Sequence, residues 1–145
     1  MAISSAICNS FKQEILVATH NFTSSTGDTF KLALYTSSAT LGAATTVYNA
    51  TNEITNDAGS AYVAGGQDLT STTPVLDSST AVCDFNDISW TSASFTANGC
   101  LIYNSSKSNK AVCAIAFGSD KTVTTGTFTI QFPTADSSNA IIRIA

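Results

Sequence analysis

The sequence predicts a mostly β protein, a single-domain antiparallel β-sandwich or flattened barrel with one N-terminal α-helix. Charged residues make up only 11% of the chain, against about 25% in an average soluble protein, and serine and threonine supply polarity in their place. Short apolar runs recur between turns that contain glycine, asparagine and serine, which is typical of all-β domains. Apolar residues recur with a helical period only in the N-terminal stretch, residues 1–20.

The chain of 145 residues has the length of one domain. Its first stretch carries Ile3, Ile7, Phe11 and Ile15, which recur every four residues and predict a helix. We therefore expect residues 1–20 to form a helical arm and residues 28–145 to form the β-sandwich. The apolar stripe of the helix would either cover the domain's own sheet or dock on a neighbouring subunit.

Residues 30–36 alternate between apolar and other side chains, which predicts a strand with one buried face. Residues 37–61 follow with little periodicity, and loops of that length are often functional or interfacial. We expect this loop to form an interface together with the helix. The residues that we predict for the interface are Ile3, Ile7, Phe11, Ile15, Tyr48 and Ile54.

Residues 99–118 predict the central hairpin, because two apolar runs flank the polar link at residues 104–110. Neither run alternates cleanly, so we expect both faces to be covered. Asn98-Gly99 and the stretch from Gly118 predict turns on either side of the hairpin. With the strands at 81–85 and 127–132, the predicted core contains Phe30, Leu32, Leu34, Phe85, Leu101, Tyr103, Ile115, Phe117, Phe128, Ile130 and Phe132.

The four cysteines, Cys8, Cys83, Cys100 and Cys113, form no CxxC pair and have apolar neighbours. We expect them to be reduced and buried as small apolar side chains. A disulfide between Cys100 and Cys113 across the hairpin remains the alternative, because sequence does not supply the required Cβ separation.

No residue pattern in the sequence indicates catalysis, so we predict a protein that is not an enzyme and that uses no cofactor and no metal. His20, the one histidine, lacks ligand spacing and is expected to cap the helix or to be exposed. Asp84 and Asp87 are three residues apart at a strand end, where solvated turn carboxylates are a simpler interpretation than an acid/base pair.

The charge balance argues against nucleic acid as a partner, because a net charge of −4 and a pI near 4.5 leave no basic face for phosphates. The sequence also contains no run of 18 or more apolar residues, so no membrane span is predicted. The N-terminal stretch lacks the basic start of a secretion signal, so we expect folding in a cytoplasm.

Four segments, SFKQEILVATHNF, TFKLALYTSSATL, GCLIYNSSKSNKAVCAIAFGSDKTV and GTFTIQFPTADSSNAIIRIA, resemble small virion proteins of tailed bacteriophages, including phages of cyanobacteria and marine bacteria. The resemblance implies a non-catalytic particle component that is assembled in the host cytoplasm and resides in the virion. We expect a capsid decoration (cement) protein that bridges major capsid subunits, with a homotrimer at three-fold positions. The alternative is a tail, neck or fibre component that binds host glycan through Tyr48, Tyr62 or Tyr103.

Overall fold

The fold comprises two antiparallel sheets and one short helix. The computed structural model describes residues 1–55 and 61–145, so part of the predicted 37–61 loop lies outside the described residues. The elements are β1 (Ala6–Ile7), α1 (Asn9–Leu16), β2 (Phe30–Tyr35), β3 (Gln67–Leu69), β4 (Ser71–Asp77), β5 (Thr80–Phe85), β6 (Ile88–Asn104), β7 (Lys110–Ile130) and β8 (Ile142–Ile144).

One sheet has five strands in the order β1-β7-β6-β2-β3, and the other has three in the order β4-β5-β8. The sequence predicted either a β-sandwich or a flattened barrel. Neither sheet closes on itself, so the fold is the sandwich. The sheets share a buried aromatic cluster, in which Phe30 of β2 lies 5.9 Å from Phe85 of β5 between ring centroids. The predicted mostly β fold with one N-terminal helix is confirmed.

The central hairpin is confirmed, since β6 and β7 pair with Ile102 opposite Cys113 and Asn104 opposite Lys110. Its residues 100–104 are all buried, as expected for a strand covered on both faces. The predicted turns at Asn98-Gly99 and Gly118 are wrong, because both lie inside the long strands. A bulge replaces them: Ala97 pairs with Lys121 and Gly99 with Ala116, so residues 117–120 lie opposite Asn98.

The N-terminal helix is shorter than the predicted arm of residues 1–20 and covers only Asn9–Leu16. Ile3 instead forms a parallel bridge with Leu41, and Ile7 lies in β1 opposite Cys113. A spacing of four residues is also a multiple of the two-residue period of a strand. Backbone hydrogen bonds to neighbouring segments select the extended form over the helix, since the Ser4 amide donates to the Leu41 carbonyl at 2.9 Å.

Six of the predicted core residues are buried as expected, but five on β7 and just after it are only partly buried. These five side chains line an open groove, together with Pro133 and Ile141 from the segment that follows β7. The partly buried residues are Ile115, Phe117, Phe128, Ile130 and Phe132.

Candidate interaction surface

Two of the six residues predicted for an interface are buried inside the chain itself. The ring of Phe11 lies 4.9 Å from that of His20 and 5.9 Å from that of Phe22, between centroids. The side chain of Ile54 is buried too, and its amide donates to the Leu34 carbonyl at 3.0 Å. In this fold neither side chain is available to a partner.

The other four predicted interface residues are half-buried. Ile3, Ile7 and Ile15 pack against the edge of the core. Tyr48 stacks on Tyr103 of β6 with 4.6 Å between ring centroids, so its ring packs the 37–61 loop against the sheet. The structure therefore distributes the six residues over several internal contacts and does not assemble them into one surface.

His20 is fully buried, which corrects the expectation of a capping or exposed histidine. Its Nε2 lies 2.7 Å from Oε2 of Glu14, and its Nδ1 lies 3.0 Å from Nδ2 of Asn104. The Asn104 amide is oriented by the Ser106 backbone N–H, which donates to Asn104 Oδ1 at 3.0 Å. Nδ1 therefore accepts a hydrogen bond, and the imidazole proton lies on Nε2, where it is donated to Glu14.

Two carboxylates complete this polar cluster. Glu14 also accepts a hydrogen bond from Lys110 Nζ at 2.9 Å, and Asp28 accepts one from Asn104 Nδ2 at 2.8 Å. Burial raises the pKa of Glu14, but hydrogen bonds from His20 and Lys110 outweigh it and leave the pKa below its usual value. Asp28 likewise has a lowered pKa, because donors from Asn21 and Asn104 outweigh burial.

The cluster joins α1, the segment before β2 and the β6–β7 turn. Within the described ranges, His20 hydrogen-bonds to Glu14 and Asn104 and to no hydroxyl or thiol. A histidine that activates a nucleophile needs such a group within hydrogen-bond reach. The geometry thus supports a structural role for these residues.

A second polar cluster surrounds Glu53, whose side chain is buried. Its Oε1 accepts hydrogen bonds from the Tyr62 hydroxyl at 2.5 Å and the Gly65 amide at 2.7 Å, and its Oε2 accepts one from the Tyr48 hydroxyl at 2.6 Å. Burial and the neighbouring carboxylate raise the pKa values of Tyr48 and Tyr62, so both phenols stay protonated donors. These contacts join separate parts of the segment between β2 and β3 to one another. The Leu34 amide of β2 donates to the Tyr62 hydroxyl at 3.0 Å, which attaches that segment to the sheet.

Asp84 is buried, which corrects its interpretation as a solvated turn residue. Its carboxylate accepts from the backbone amides of Phe85 at 2.8 Å and Ile141 at 3.3 Å. Burial raises its pKa despite these donors. Asp87 instead accepts from the Phe132 amide at 2.7 Å, so the two carboxylates bind separate parts of the backbone.

All four cysteines are free and buried, as the sequence predicted, and the alternative disulfide between Cys100 and Cys113 is not formed. Burial raises the pKa of Cys8 to about 11 and those of Cys83 and Cys100 to about 12. Thiols at such pKa values are poor nucleophiles at neutral pH.

In the parts of the chain that the structure describes, no three His, Cys, Asp or Glu side chains are placed to hold a metal ion. Over the same residues, no helix has the length and apolar character to cross a membrane.

A groove of about 560 Å³ with mostly apolar walls lies along β7 and is here called the β7 groove. Its walls carry the partly buried side chains that were predicted for the core. Lys121 is the one charged residue among those that line it. The lining consists of Cys100, Ile115, Phe117, Lys121, Phe128, Thr129, Ile130, Gln131, Phe132, Pro133 and Ile141.

Large apolar side chains also protrude elsewhere. Leu16 and Val17 at the end of α1 are 85% and 61% exposed, and Leu76 and Ile144 on the three-stranded sheet are 73% and 54% exposed. Sequence reasoning missed all four. Val17 lies off the apolar stripe of the helix, which is a weak signal of exposure. Leu16 widens that stripe, and Leu76 and Ile144 have apolar neighbours, so the sequence favours burial of these three residues.

The exposed residues and the β7 groove make protein binding the chemistry that this surface supports best. Comparison of the chain with family models, with curated proteins and with solved structures finds no match.

Proposed function

We propose that this chain is a non-enzymatic structural protein of a bacteriophage virion, and that it acts as a capsid decoration (cement) protein. The observation that carries the proposal is the exposure of large apolar side chains on a surface with few charges, including Leu16 at 85% and Leu76 at 73%. Such side chains gain free energy when another protein covers them. A surface with few ions can be covered at little desolvation cost.

The resemblance to small virion proteins of tailed phages supports the same proposal. Its four segments begin in α1, directly before β2, in β6 and in β7, and the last of them runs through β8. They include the end of α1 and the strands of the β7 groove, but not β4, which carries Leu76. The resemblance therefore covers part of the exposed apolar surface.

We assign the particle contact to the end of α1. This region was predicted as an interface through Phe11, but Phe11 is buried, and Leu16 and Val17 are the exposed apolar residues of the helix end. The partner would be an apolar patch on the major capsid protein, and the chain would occupy three-fold positions as a homotrimer.

Glycan binding by a tail or fibre component has less support. An aromatic platform for sugar needs exposed rings, whereas Tyr62 and Tyr103 are buried. The Tyr103 hydroxyl donates to the Gly65 carbonyl at 2.6 Å, and the Tyr62 hydroxyl donates to Glu53. We therefore place decoration ahead of glycan binding.

The proposal is tested by adding the purified, labelled chain to phage particles that lack it and counting bound copies. Icosahedral decoration predicts on the order of hundreds of copies per particle, distributed over the shell. Binding of only a few tens of copies at the tail would contradict decoration and favour the alternative placement.

The assigned contact is tested with the double variant Leu16→Ser and Val17→Ser, which should lower particle occupancy without lowering thermal stability. The matched control is Val63→Ser, because Val63 is 65% exposed and belongs to the segment between β2 and β3, outside α1. Equal occupancy of the double variant and the control would place the particle contact elsewhere.

A further inference from the structure

Three stretches of the chain match the pattern Asn-x-Ser/Thr, in which the side-chain nitrogen of asparagine can be linked to a sugar. They begin at Asn21, Asn49 and Asn104. We propose that Asn49 is a glycosylation site, modified on the folded chain by a transferase that uses a nucleotide-activated hexose. The inference goes beyond the proposed function and does not depend on it.

Asn49 combines exposure with a fixed side-chain orientation. Residues 49–51 are all exposed. Oδ1 of Asn49 accepts a hydrogen bond from the Thr51 backbone N–H at 2.7 Å, which forms an Asx turn. Across residues 1–55 and 61–145, no hydrogen bond uses Nδ2 of Asn49. The nitrogen that would receive the sugar is therefore accessible and has both of its hydrogens available.

The end of β2 and the residue after it hold this turn in place on both sides of Thr51. The Tyr35 hydroxyl donates to the Asn49 carbonyl at 2.8 Å, and the Thr36 amide donates to the Asn52 carbonyl at 3.0 Å. The backbone is therefore fixed, while the side chains of Asn49 and Thr51 are exposed to solvent. A transferase that reads the asparagine amide and the threonine hydroxyl can reach both groups without unfolding the chain.

A groove of about 930 Å³ lies beside the turn, between the N-terminal segment and residues 39–52. Asn49 and Thr51 both line it, and most of its other lining residues are alanine, serine, threonine and glycine. Its volume lies at the upper end of the range for small-molecule sites. A hexose attached to Nδ2 of Asn49 therefore has space next to the turn.

Asn104 lacks these features, although its stretch has the same pattern. Its side chain is fully buried, and its Nδ2 donates to His20 Nδ1 at 3.0 Å and to Asp28 at 2.8 Å. An amide nitrogen has two hydrogens, so both are already used. The folded chain therefore excludes Asn104 as an acceptor.

Asn21 is exposed, but its neighbours hold its stretch against the protein. Phe22, which follows it, stacks on Phe30 with 4.2 Å between ring centroids. The Asn21 amide donates to the Asp28 carboxylate at 2.9 Å, and the Asn21 carbonyl accepts from the Asp28 amide at 2.8 Å. A transferase could bind this stretch as a peptide only by breaking these contacts, whereas Ala50, the middle residue of the Asn49 stretch, is small and exposed.

The folded state also indicates the class of sugar donor. The turn and the groove exist only in the folded chain, so the donor must act after folding, and a soluble sugar nucleotide meets that condition. In the transfer, Nδ2 of Asn49 forms a bond to C1 of the hexose, and the bond from C1 to the diphosphate oxygen breaks. The nucleoside diphosphate leaves with that electron pair, and the proton lost from Nδ2 passes to a base of the transferase.

The test incubates the folded full-length chain with UDP-glucose and a soluble transferase that recognises Asn-x-Ser/Thr, and locates added hexose by peptide mass spectrometry. We expect a single hexose, on Asn49. Thr51→Ala removes the hydroxyl but keeps the backbone N–H of the Asx turn, so it should abolish the modification without changing thermal unfolding. Thr51→Ser keeps a hydroxyl and should restore the modification.

Thr23→Ala is the matched control, because it removes the corresponding hydroxyl of the Asn21 stretch and should leave the reaction at Asn49 unchanged. A synthetic peptide with the sequence of residues 47–53 shows that the enzyme is active. Modification of this peptide but not of the folded chain would overturn the proposal. A hexose on Asn21 or Asn104, or a Thr51→Ala variant that is modified like the wild type, would also overturn it. No particle is present in this test, so its failure is distinct from failure of the proposed function.

Discussion

At the scale of single residues, Glu14 connects its own helix and the adjacent His20 to Lys110, which lies 96 positions further along the chain. Its carboxylate lies 2.7 Å from His20 Nε2 and 2.9 Å from Lys110 Nζ, and it extends from the helix between them. A buried carboxylate without such donors would be strongly destabilising. Glu14 is therefore a structural residue whose contribution depends on its charge.

Replacing Glu14 by Gln should lower the free energy of unfolding by about 1–3 kcal/mol at pH 7, because the charged acceptor is lost. The folded pKa is lowered, so this contribution is present above the unfolded value of about 4.3 and is lost as the pH falls through the folded pKa. Urea unfolding from pH 7 downward should show a shallower loss of stability for Glu14→Gln than for the wild type.

Lys12→Gln is the control for this prediction, because Lys12 is exposed on the same helix and only contacts Asn9. If the free energy of unfolding falls equally steeply with decreasing pH in Glu14→Gln and in the wild type, Glu14 does not contribute to the acid sensitivity of the protein. The lowered pKa of Asp28 likewise predicts a contribution to stability that is lost as the pH falls. The raised pKa of Asp84 predicts the opposite pH dependence, because protonation of this carboxyl group favours the folded state.

At the scale of elements, the chain segment that leads into β3 passes close to β2 at Gly66. Gly66 has a positive φ of +79°, and a Cβ added there would overlap the carbonyl oxygen of Leu32 in the neighbouring β2. Gly118 in the β7 bulge has a similar φ of +80°, but a Cβ there would meet no atom within 4 Å. Substitutions at these two glycines therefore distinguish the effect of backbone strain from the effect of steric overlap.

Gly118→Ala should cost about 1 kcal/mol of unfolding free energy, which is the effect of a positive φ alone. Gly66→Ala should cost about 1–3 kcal/mol more, because β2 and β3 must move apart to admit the methyl group. Urea denaturation of both variants measures the difference. Equal losses would indicate that β3 does not approach β2 as closely as described.

At the scale of the whole molecule, the sandwich keeps four thiols away from solvent. Their raised pKa values follow first from burial, and Cys113 is further raised by the neighbouring thiols of Cys100, Cys8 and Cys83. The thiols of both sheets and of the N-terminal segment thus lie in the interior between the two layers. Their reactivity should report on opening of the whole fold.

We expect the native protein to react slowly with iodoacetamide at pH 8 and to show four alkylated cysteines after non-reducing denaturation. Mass spectrometry of intact protein and of peptides measures both states. Recovery of a peptide crosslinked between Cys100 and Cys113 would contradict the prediction. Fast labelling of one thiol in the native state would show that part of the interior opens without global unfolding.

The sequence alone determined the elements that depend on local pattern. β2 follows from its alternation, the β6–β7 hairpin from two apolar runs around a polar link, and buried cysteines from their apolar neighbours. These features can be predicted because side-chain period and turn composition act over a few residues.

Tertiary structure decided the features that depend on distant partners. Ile3 and Ile7 fit a helical and an extended period equally, and sheet hydrogen bonds selected the extended form. His20 is buried because Asn104 lies 84 positions further along the chain but only 3.0 Å away. Phe128 lines an open groove because burial depends on whether the second layer reaches a strand, and a strand's own pattern carries no information about that layer.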